Sequence, residues 1–195
     1  TEALRAAAPA MAGEIAVLRR CGAALAEVLT GRQEPLALLF AAEGEGAGAF
    51  YATSPYARVV NGLLSEATGR LAATLPLGRA LRVLEVGAGT GGATGAVLAA
   101  LPRARRHYVF TDLSAGFLSA ARQNFAGEAL ETRLFDVERA PSAQGMAPAS
   151  FDLVLAANVL HATADIAQAL RHLHTLLAPG GMLLLVESTE ARRWV

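Results

Sequence analysis

The sequence has almost no cysteine, no excess of basic charge and no long apolar run. Cys21 is the single cysteine among 195 residues, so an intrachain disulfide is excluded and a reducing, cytoplasmic location is expected. Basic and acidic residues balance at 17 each. This balance disfavours a nucleic-acid partner, because proteins that bind DNA or RNA normally use a basic excess to neutralise phosphates. No apolar run reaches the roughly 18 to 20 residues that span a bilayer, so no membrane partner is expected.

The two ends of the sequence resemble cut sites. The N-terminus has neither the charged nor the apolar region of a signal peptide. It also lacks an initiator Met, and the sequence stops at Arg192–Val195 (RRWV). We therefore expect that both ends were cut from a longer polypeptide. The composition, 53% hydrophobic and 17% charged, supplies enough apolar residues for one domain with a buried core.

The first part of the chain, residues 1–78, has helical and irregular patterns. Its apolar spacing predicts helices over Met11–Thr30 and Tyr56–Leu75. Glycines alternate with Glu and Ala in Glu43–Gly48, which indicates a flexible loop. We expect this part to form an N-terminal helical region.

The second part, residues 79–195, alternates short apolar runs with helical patterns. Strands are predicted over Leu81–Val86, Tyr108–Thr111, Leu134–Phe135, Phe151–Ala156 and Met182–Glu187. Helices are predicted over Ala93–Leu101, Phe117–Phe125 and Ala164–Leu177. This alternation predicts an α/β fold, with a mostly parallel sheet that carries helices on both faces. Such sheets bind their ligands at the carboxyl ends of the strands.

A glycine-rich loop follows the first predicted strand, in the segment LEVGAGTGG (residues 84–92). Gly87, Gly89 and Gly92 fit the dinucleotide pattern G-x-G-x-x-G, so an NAD-dependent oxidoreductase is one reading. Glu85 favours S-adenosylmethionine instead, because a carboxylate suits an ammonium and a sulfonium but not a pyrophosphate. Glu85, Gly87, Gly89 and Gly91 are therefore expected to bind this donor.

Two acids after the next strands extend the expected donor site. Asp112 lies 21 residues after Gly91, a spacing that suits the ribose hydroxyls, although it could also be a helix N-cap. Asp136 follows the third strand and could accept the adenine amino group, while Phe135 or Val137 packs on the ring. A solvated loop acid is the alternative for Asp136. The remaining residues assigned to donor binding are Leu113, Val137 and Asn158.

His161 follows the fourth predicted strand and is the candidate general base, because histidine titrates near neutral pH. Glu187, at the end of the fifth strand, could hold the imidazole in one tautomer and stabilise its protonated form. The alternatives are a structural hydrogen bond for His161 and a salt bridge at the sheet edge for Glu187. No cluster of Cys and His supports a zinc site, so no metal is expected.

The chain resembles the methyltransferase domains embedded in modular polyketide synthases, which are Rossmann-like class I S-adenosylmethionine-dependent methyltransferases. The most diagnostic segments are EVGAGTGG (residues 85–92) and NVLHAT (residues 158–163). Further matching segments are residues 29–31, 35–36, 39–40, 51–56, 61, 110–112, 144–145, 151–153 and 177–181. The resemblance implies that the N-terminal helices form a lid over the donor, with Tyr51 and Tyr56 contacting it.

The resemblance also implies a reaction. Its substrate is tethered by a phosphopantetheine arm to an acyl carrier protein, beside other synthase domains, and S-adenosylhomocysteine is the product. The usual reaction methylates the α-carbon of a β-ketoacyl thioester, with His161 as the base and Glu187 as its partner. The same pair could serve O-methylation of a β-hydroxyl or enol, and an inactive structural remnant is a third reading. Family members continue past the Arg-Arg-Trp segment, so two closing strands and part of the acceptor pocket are expected to be missing.

Overall fold

The structure, a computed structural model, describes residues 2–40, 47–76 and 78–188. Residues 43–46 of the predicted loop Glu43–Gly48 lie outside the described residues, as does the Arg192–Val195 end. Ala47 and Gly48 lie in a helix, so the loop prediction is wrong for these two residues.

Five parallel strands form one sheet in the order β3-β2-β1-β4-β5. The strands are β1 (Leu81–Val86), β2 (Arg106–Asp112), β3 (Leu130–Leu134), β4 (Phe151–Ala157) and β5 (Leu177–Val186). Strands β2 and β3 are added on one side of β1, and β4 and β5 on the other side. This switch in strand order creates a crevice at the carboxyl ends of β1 and β4. The predicted parallel sheet is confirmed.

Three strands, β2, β3 and β5, differ from their predicted bounds by more than one residue. β2 extends two residues before and one residue after the predicted Tyr108–Thr111. The third strand begins four residues before the predicted Leu134–Phe135 and ends at Leu134, and Phe135 packs in the core after the strand. The strand has the sequence LETRL and lies at the sheet edge, so it lacks the apolar run on which the prediction relied. The fifth strand begins earlier than predicted, at Leu177, and passes an irregularity in its pairing with β4.

Helices cover both faces of the sheet, as predicted. Three of them connect the strands: α7 (Gly92–Ala100), α8 (Ala115–Asn124) and α9 (Ile166–Leu176). Helix α7 packs on the face that carries Leu81 and Val83, and α9 packs on the opposite face, against Leu84 and Val86. Alternate residues of β1 therefore point to the two layers, and all of them except Arg82 are buried.

Six helices precede the sheet within the described residues. They are α1 (Glu2–Ala7), α2 (Ala12–Ala23), α3 (Leu25–Leu29), α4 (Pro35–Leu39), α5 (Ala47–Thr53) and α6 (Pro55–Thr74). The single helix predicted over Met11–Thr30 is wrong, because the segment breaks at Ala24, and Leu18 and Leu29 are exposed.

Helix α6 matches its prediction within one residue at each end. The Ser54 hydroxyl caps its first turn by accepting a hydrogen bond from Ala57 N at 3.0 Å. Leu64 and Ala72 join the same core as α7 and β1. The division of the chain at residue 78 stays a prediction. None of the described helices is long and apolar enough to cross a membrane.

Candidate active site

A cavity of about 540 Å³ lies at the carboxyl ends of β1, β2 and β4. This volume is within the range of small-molecule sites, about 300–1,000 Å³. The predicted site residues that line it are Tyr51, Tyr56, Glu85, Gly87, Gly89, Asp112, Asn158 and His161. Those that do not line it are Gly91, Leu113, Asp136, Val137 and Glu187. The fold thus brings most of the predicted site together around one cavity.

The loop between β1 and α7, residues 87–91, is called the donor loop below. Gly87, Gly89 and Gly91 have φ angles of 58°, 56° and 80°, in the left-handed region that favours glycine. A Cβ on Gly87 would lie 2.6 Å from a Val159 methyl, and one on Gly91 would lie 2.7 Å from the Phe125 ring. Gly87 and Gly91 therefore allow close packing, whereas the nearest neighbour of a Cβ on Gly89 is a carbonyl oxygen at 3.9 Å.

Asp112 holds the donor loop to the end of β2. Its Oδ2 accepts a hydrogen bond from Gly89 N at 2.9 Å, and its Oδ1 accepts one from Ser114 N at 2.8 Å. The N-cap of α8 is Ser114, so the alternative reading of Asp112 as the N-cap is wrong. Asp112 is buried yet lines the cavity, and its role toward a ribose stays a prediction.

Glu85 is a buried carboxyl group at the wall of the cavity, with a relative exposure of 1%. Its Oε2 accepts hydrogen bonds from Thr94 Oγ1 at 2.6 Å and from Tyr108 Oη at 2.7 Å. Burial raises the pKa of Glu85 from 4.5 to about 7, although these two hydrogen bonds act in the opposite direction. A carboxyl group with such a pKa can ionise in response to a nearby cation.

The turn after β4 begins at Asn158, whose φ of 56° is unusual for a residue other than glycine. Asn158 N donates a hydrogen bond to Val186 O at 2.7 Å, which joins the ends of β4 and β5. Glu187, directly after β5, then reaches across this junction. Its Oε1 accepts hydrogen bonds from Val159 N at 2.8 Å and Leu160 N at 2.7 Å.

The other oxygen of Glu187, Oε2, lies 2.7 Å from His161 Nδ1. Burial alone would raise the pKa of Glu187, but the hydrogen bonds from His161 and from two backbone amides lower it below its usual value. The ionised carboxylate therefore accepts a hydrogen bond from the Nδ1–H of His161, which leaves the lone pair on Nε2 available. His161 lines the cavity, so the pair can remove a proton from a ligand bound there.

The loop after β3 lies apart from the cavity. Val137, in this loop, is buried in the core. Leu113, which follows β2 instead, is 70% exposed. Asp136 Oδ1 accepts a hydrogen bond from Glu138 N at 2.9 Å, while Gln144 bonds both the amide and the carbonyl of Asp136. The proposed adenine contacts of Asp136 and Val137 stay predictions, as does the donor role of Leu113.

Sequence reasoning assigned no role to several residues of the site. Asn61 lines the cavity and bridges two elements, while Thr94 and Tyr108 bond the buried carboxyl of Glu85. A signal for Asn61 was its place between the buried positions Ala57 and Leu64 of α6, where an apolar residue would be expected. The described residues contain no group of three or more His, Cys, Asp or Glu that could hold a metal ion.

Comparison with known proteins identifies the family. A family model described as "Methyltransferase domain" matches residues 84–183. The polyketide synthase ThaG of Burkholderia thailandensis is 42% identical over 175 residues, which are 85% of this chain and 3% of ThaG. Among solved structures, the CurJ carbon methyltransferase superposes with a TM-score of 0.93 at 38% identity. That match covers 99% of this chain and 52% of CurJ.

A second solved structure bears on the donor. The trans-methyltransferase CalH, solved in complex with SAH, superposes with a TM-score of 0.72 at 28% identity over 90% of this chain and 48% of CalH. The chain thus spans about half the length of these two solved proteins and a small part of ThaG. These matches exclude the reading as an NAD-dependent oxidoreductase. The chain belongs to the methyltransferase domains of polyketide synthases, with the Rossmann-like fold of class I S-adenosylmethionine-dependent methyltransferases.

Proposed function

We propose that this domain transfers a methyl group from S-adenosylmethionine to the α-carbon of a β-ketoacyl thioester. In this proposal the thioester is carried by the phosphopantetheine arm of an acyl carrier protein, in the cytoplasm. The observation that carries the proposal is the contact of 2.7 Å between His161 Nδ1 and Glu187 Oε2, beside a cavity that His161 lines. This arrangement is a general base, which abstraction of an α-proton requires.

The residues of the cavity fit the donor. Gly87 and Gly89 present backbone without a Cβ, Glu85 supplies a buried carboxyl for a cationic group, and Asp112 borders the same space. Bound here, S-adenosylmethionine supplies an electrophilic methyl group on its sulfonium. The Glu85 carboxyl stabilises the positive charge of the donor because few other groups or waters compete with it in a buried position.

His161 and Glu187 act on the acceptor. The α-carbon lies between a ketone and a thioester, so the electron pair left by its proton is delocalised into an enolate. His161 Nε2 accepts this proton while Glu187 retains the hydrogen bond to Nδ1 and stabilises the imidazolium. The enolate pair forms the new carbon–carbon bond, the pair of the broken carbon–sulfur bond stays on sulfur, and His161 returns its proton to solvent.

O-methylation of a β-hydroxyl or enol would use the same base. We favour carbon because CurJ, which is similar over nearly the whole chain, is a carbon methyltransferase. The intact donor loop disfavours an inactive remnant. So does the Glu187 carboxylate, because both of its oxygens are held by hydrogen bonds and one of them orients His161.

The proposal is tested with a β-ketoacyl carrier protein and trideuteromethyl-labelled S-adenosylmethionine. Wild-type protein should add the label to the α-carbon, as fragment masses of the released acyl group report. Without donor, it should exchange the α-hydrogens with D₂O, and His161→Gln should lose both activities while still binding donor. Label on oxygen would select the alternative reaction, and folded, donor-binding protein that neither methylates nor exchanges would refute the proposal.

A further inference from the structure

Helix α5 lies on the start of α7, directly beside the donor loop. A Cβ on Gly92, the first residue of α7, would lie 2.6 Å from Tyr51 O, so glycine allows the two backbones to touch. A Cβ on Gly48 would lie 3.4 Å from the Thr90 side chain. Tyr51 also lines the cavity. We call α5 the lid helix, because it forms one wall of the space in which the donor is proposed to bind.

One side chain joins the lid helix to α7. Asn61, on α6, donates hydrogen bonds from Nδ2 to Tyr51 O at 3.1 Å and to Gly92 O at 3.2 Å. Both partners are carbonyl oxygens, so only the NH₂ group of the amide satisfies them, with one hydrogen for each. Tyr51 O lies in the last turn of α5, where helical carbonyls lack partners within the helix.

The packing of α6 on α7 fixes the position of Asn61. Ala57 and Leu64, one turn away on either side of Asn61, are buried, and α6 packs closely on α7. Asn61 therefore sits on a rigid element and reaches two others, one of which, the lid helix, has only seven residues. Such a short helix depends on its tertiary contacts for stability.

We propose that Asn61 latches the lid helix onto the start of α7 and thereby sets how long the donor stays bound. Asn61 is a positioning residue in this account, since it acts through the lid helix and performs no proton or methyl transfer. The role in donor release rests on the proposed function, whereas the latch itself does not. Loss of the two hydrogen bonds should let the lid helix open more often and release the donor sooner.

The test compares Asn61→Ala and Asn61→Asp with the wild-type 195-residue chain. Aspartate keeps the shape of asparagine but places oxygens against two carbonyls, so it should open the latch at least as much as alanine. Gly92→Ala attacks the same contact from α7, by pushing Tyr51 O away. The matched control is Glu66→Gln, an exposed position on the same helix whose carboxylate pairs with Arg70.

Hydrogen exchange without donor reports the latch. In Asn61→Ala, amides of Ala47–Thr53 should exchange about ten-fold faster, the loss expected for two ordinary hydrogen bonds, while amides of β1 and β4 keep their rates. The dissociation rate of S-adenosylmethionine, measured by surface plasmon resonance, should rise by about the same factor, with little change in kcat at saturating donor. Glu66→Gln should match wild type in both measurements.

Three results would overturn the proposal. They are unchanged exchange in the lid helix, faster exchange throughout the sheet as well, and a dissociation rate equal to that of wild type. Direct contact between Asn61 and the donor would change dissociation without changing exchange in the donor-free protein. If wild-type protein fails to bind the donor, the proposed function fails and the role in release fails with it, but the exchange rates still decide whether the latch exists.

Discussion

The buried carboxyl of Glu85 should make the stability of the domain fall as the pH rises through neutrality. Its folded pKa of about 7 lies above the ordinary 4.5, so between these values the native state holds a proton that the unfolded state has lost. The free energy of unfolding therefore decreases with rising pH in this window and levels off above about 7. The stability conferred by the protonated group is fully present only below pH 4.5.

The size of this effect follows from the two pKa values. A shift from 4.5 to about 7 corresponds to roughly 3 kcal/mol in full, most of which is lost between pH 5 and pH 8. Glu85→Gln removes the titration but keeps an oxygen that can accept the hydrogen bonds from Thr94 and Tyr108. The difference between the two proteins isolates Glu85, because other titrating groups contribute equally to both.

Urea unfolding of both proteins at pH 5 and pH 8 measures this difference. Glu85→Gln should gain roughly 2 to 3 kcal/mol on wild type between the two pH values, with equal slopes against urea concentration. A difference that stays constant from pH 5 to pH 8 would show that Glu85 titrates normally in the folded protein. The argument for a carboxyl that ionises in response to the donor would then be wrong.

Three further outcomes are expected from the same site. Binding of S-adenosylmethionine should release a proton at pH 6 but not at pH 8.5, as calorimetry in buffers of different ionisation enthalpy would show, and Glu85→Gln should release none. Glu187→Gln should keep donor affinity but lower kcat about 100-fold or more. The amide NH₂ donates a hydrogen bond to Nδ1 of His161, so it favours the tautomer that carries its proton on Nε2, which cannot act as the base. An unchanged kcat would refute this reasoning. Gly87→Ala should destabilise the fold by about 1–3 kcal/mol in thermal or urea unfolding, and adding Val159→Ala should restore part of it, since the added Cβ meets a Val159 methyl.

The fold could be predicted where local sequence decides the structure. The bounds of β1 and nearly those of β4 were predicted, because both strands lie inside the sheet, are buried on both faces and are therefore mostly apolar. The bounds of the edge strand β3 and the break at Ala24 could not be predicted. β3 carries Glu131 and Arg133 instead of an apolar run, and the leucines around Ala24 are largely exposed, so their spacing did not mark a buried face.

The site residues that could be predicted are those near the carboxyl ends of the strands. Glu85 and Asp112 lie at the ends of their strands and His161 lies in the turn after β4, and parallel strands bring these positions to one end of the sheet. Asp136 also follows a strand but does not line the cavity, and the strand that it follows, β3, is the edge strand of the sheet. The bridge that Asn61 makes between the lid helix and Gly92 depends on how α6 packs on α7, which no local pattern encodes.

The register of β4 and β5 explains why the base and the donor loop form one unit. Glu187 can reach the turn after β4 because Ala157 pairs with Val186 at the strand ends. Through its Oε1 the carboxylate fixes Val159, whose methyl groups would touch any Cβ at Gly87, and through its Oε2 it orients His161. A shift of β5 by one residue would move the carboxylate to the other side of the sheet and release both contacts. His161 is therefore correctly oriented only when the carboxyl ends of β4 and β5, beside the donor loop, are correctly paired.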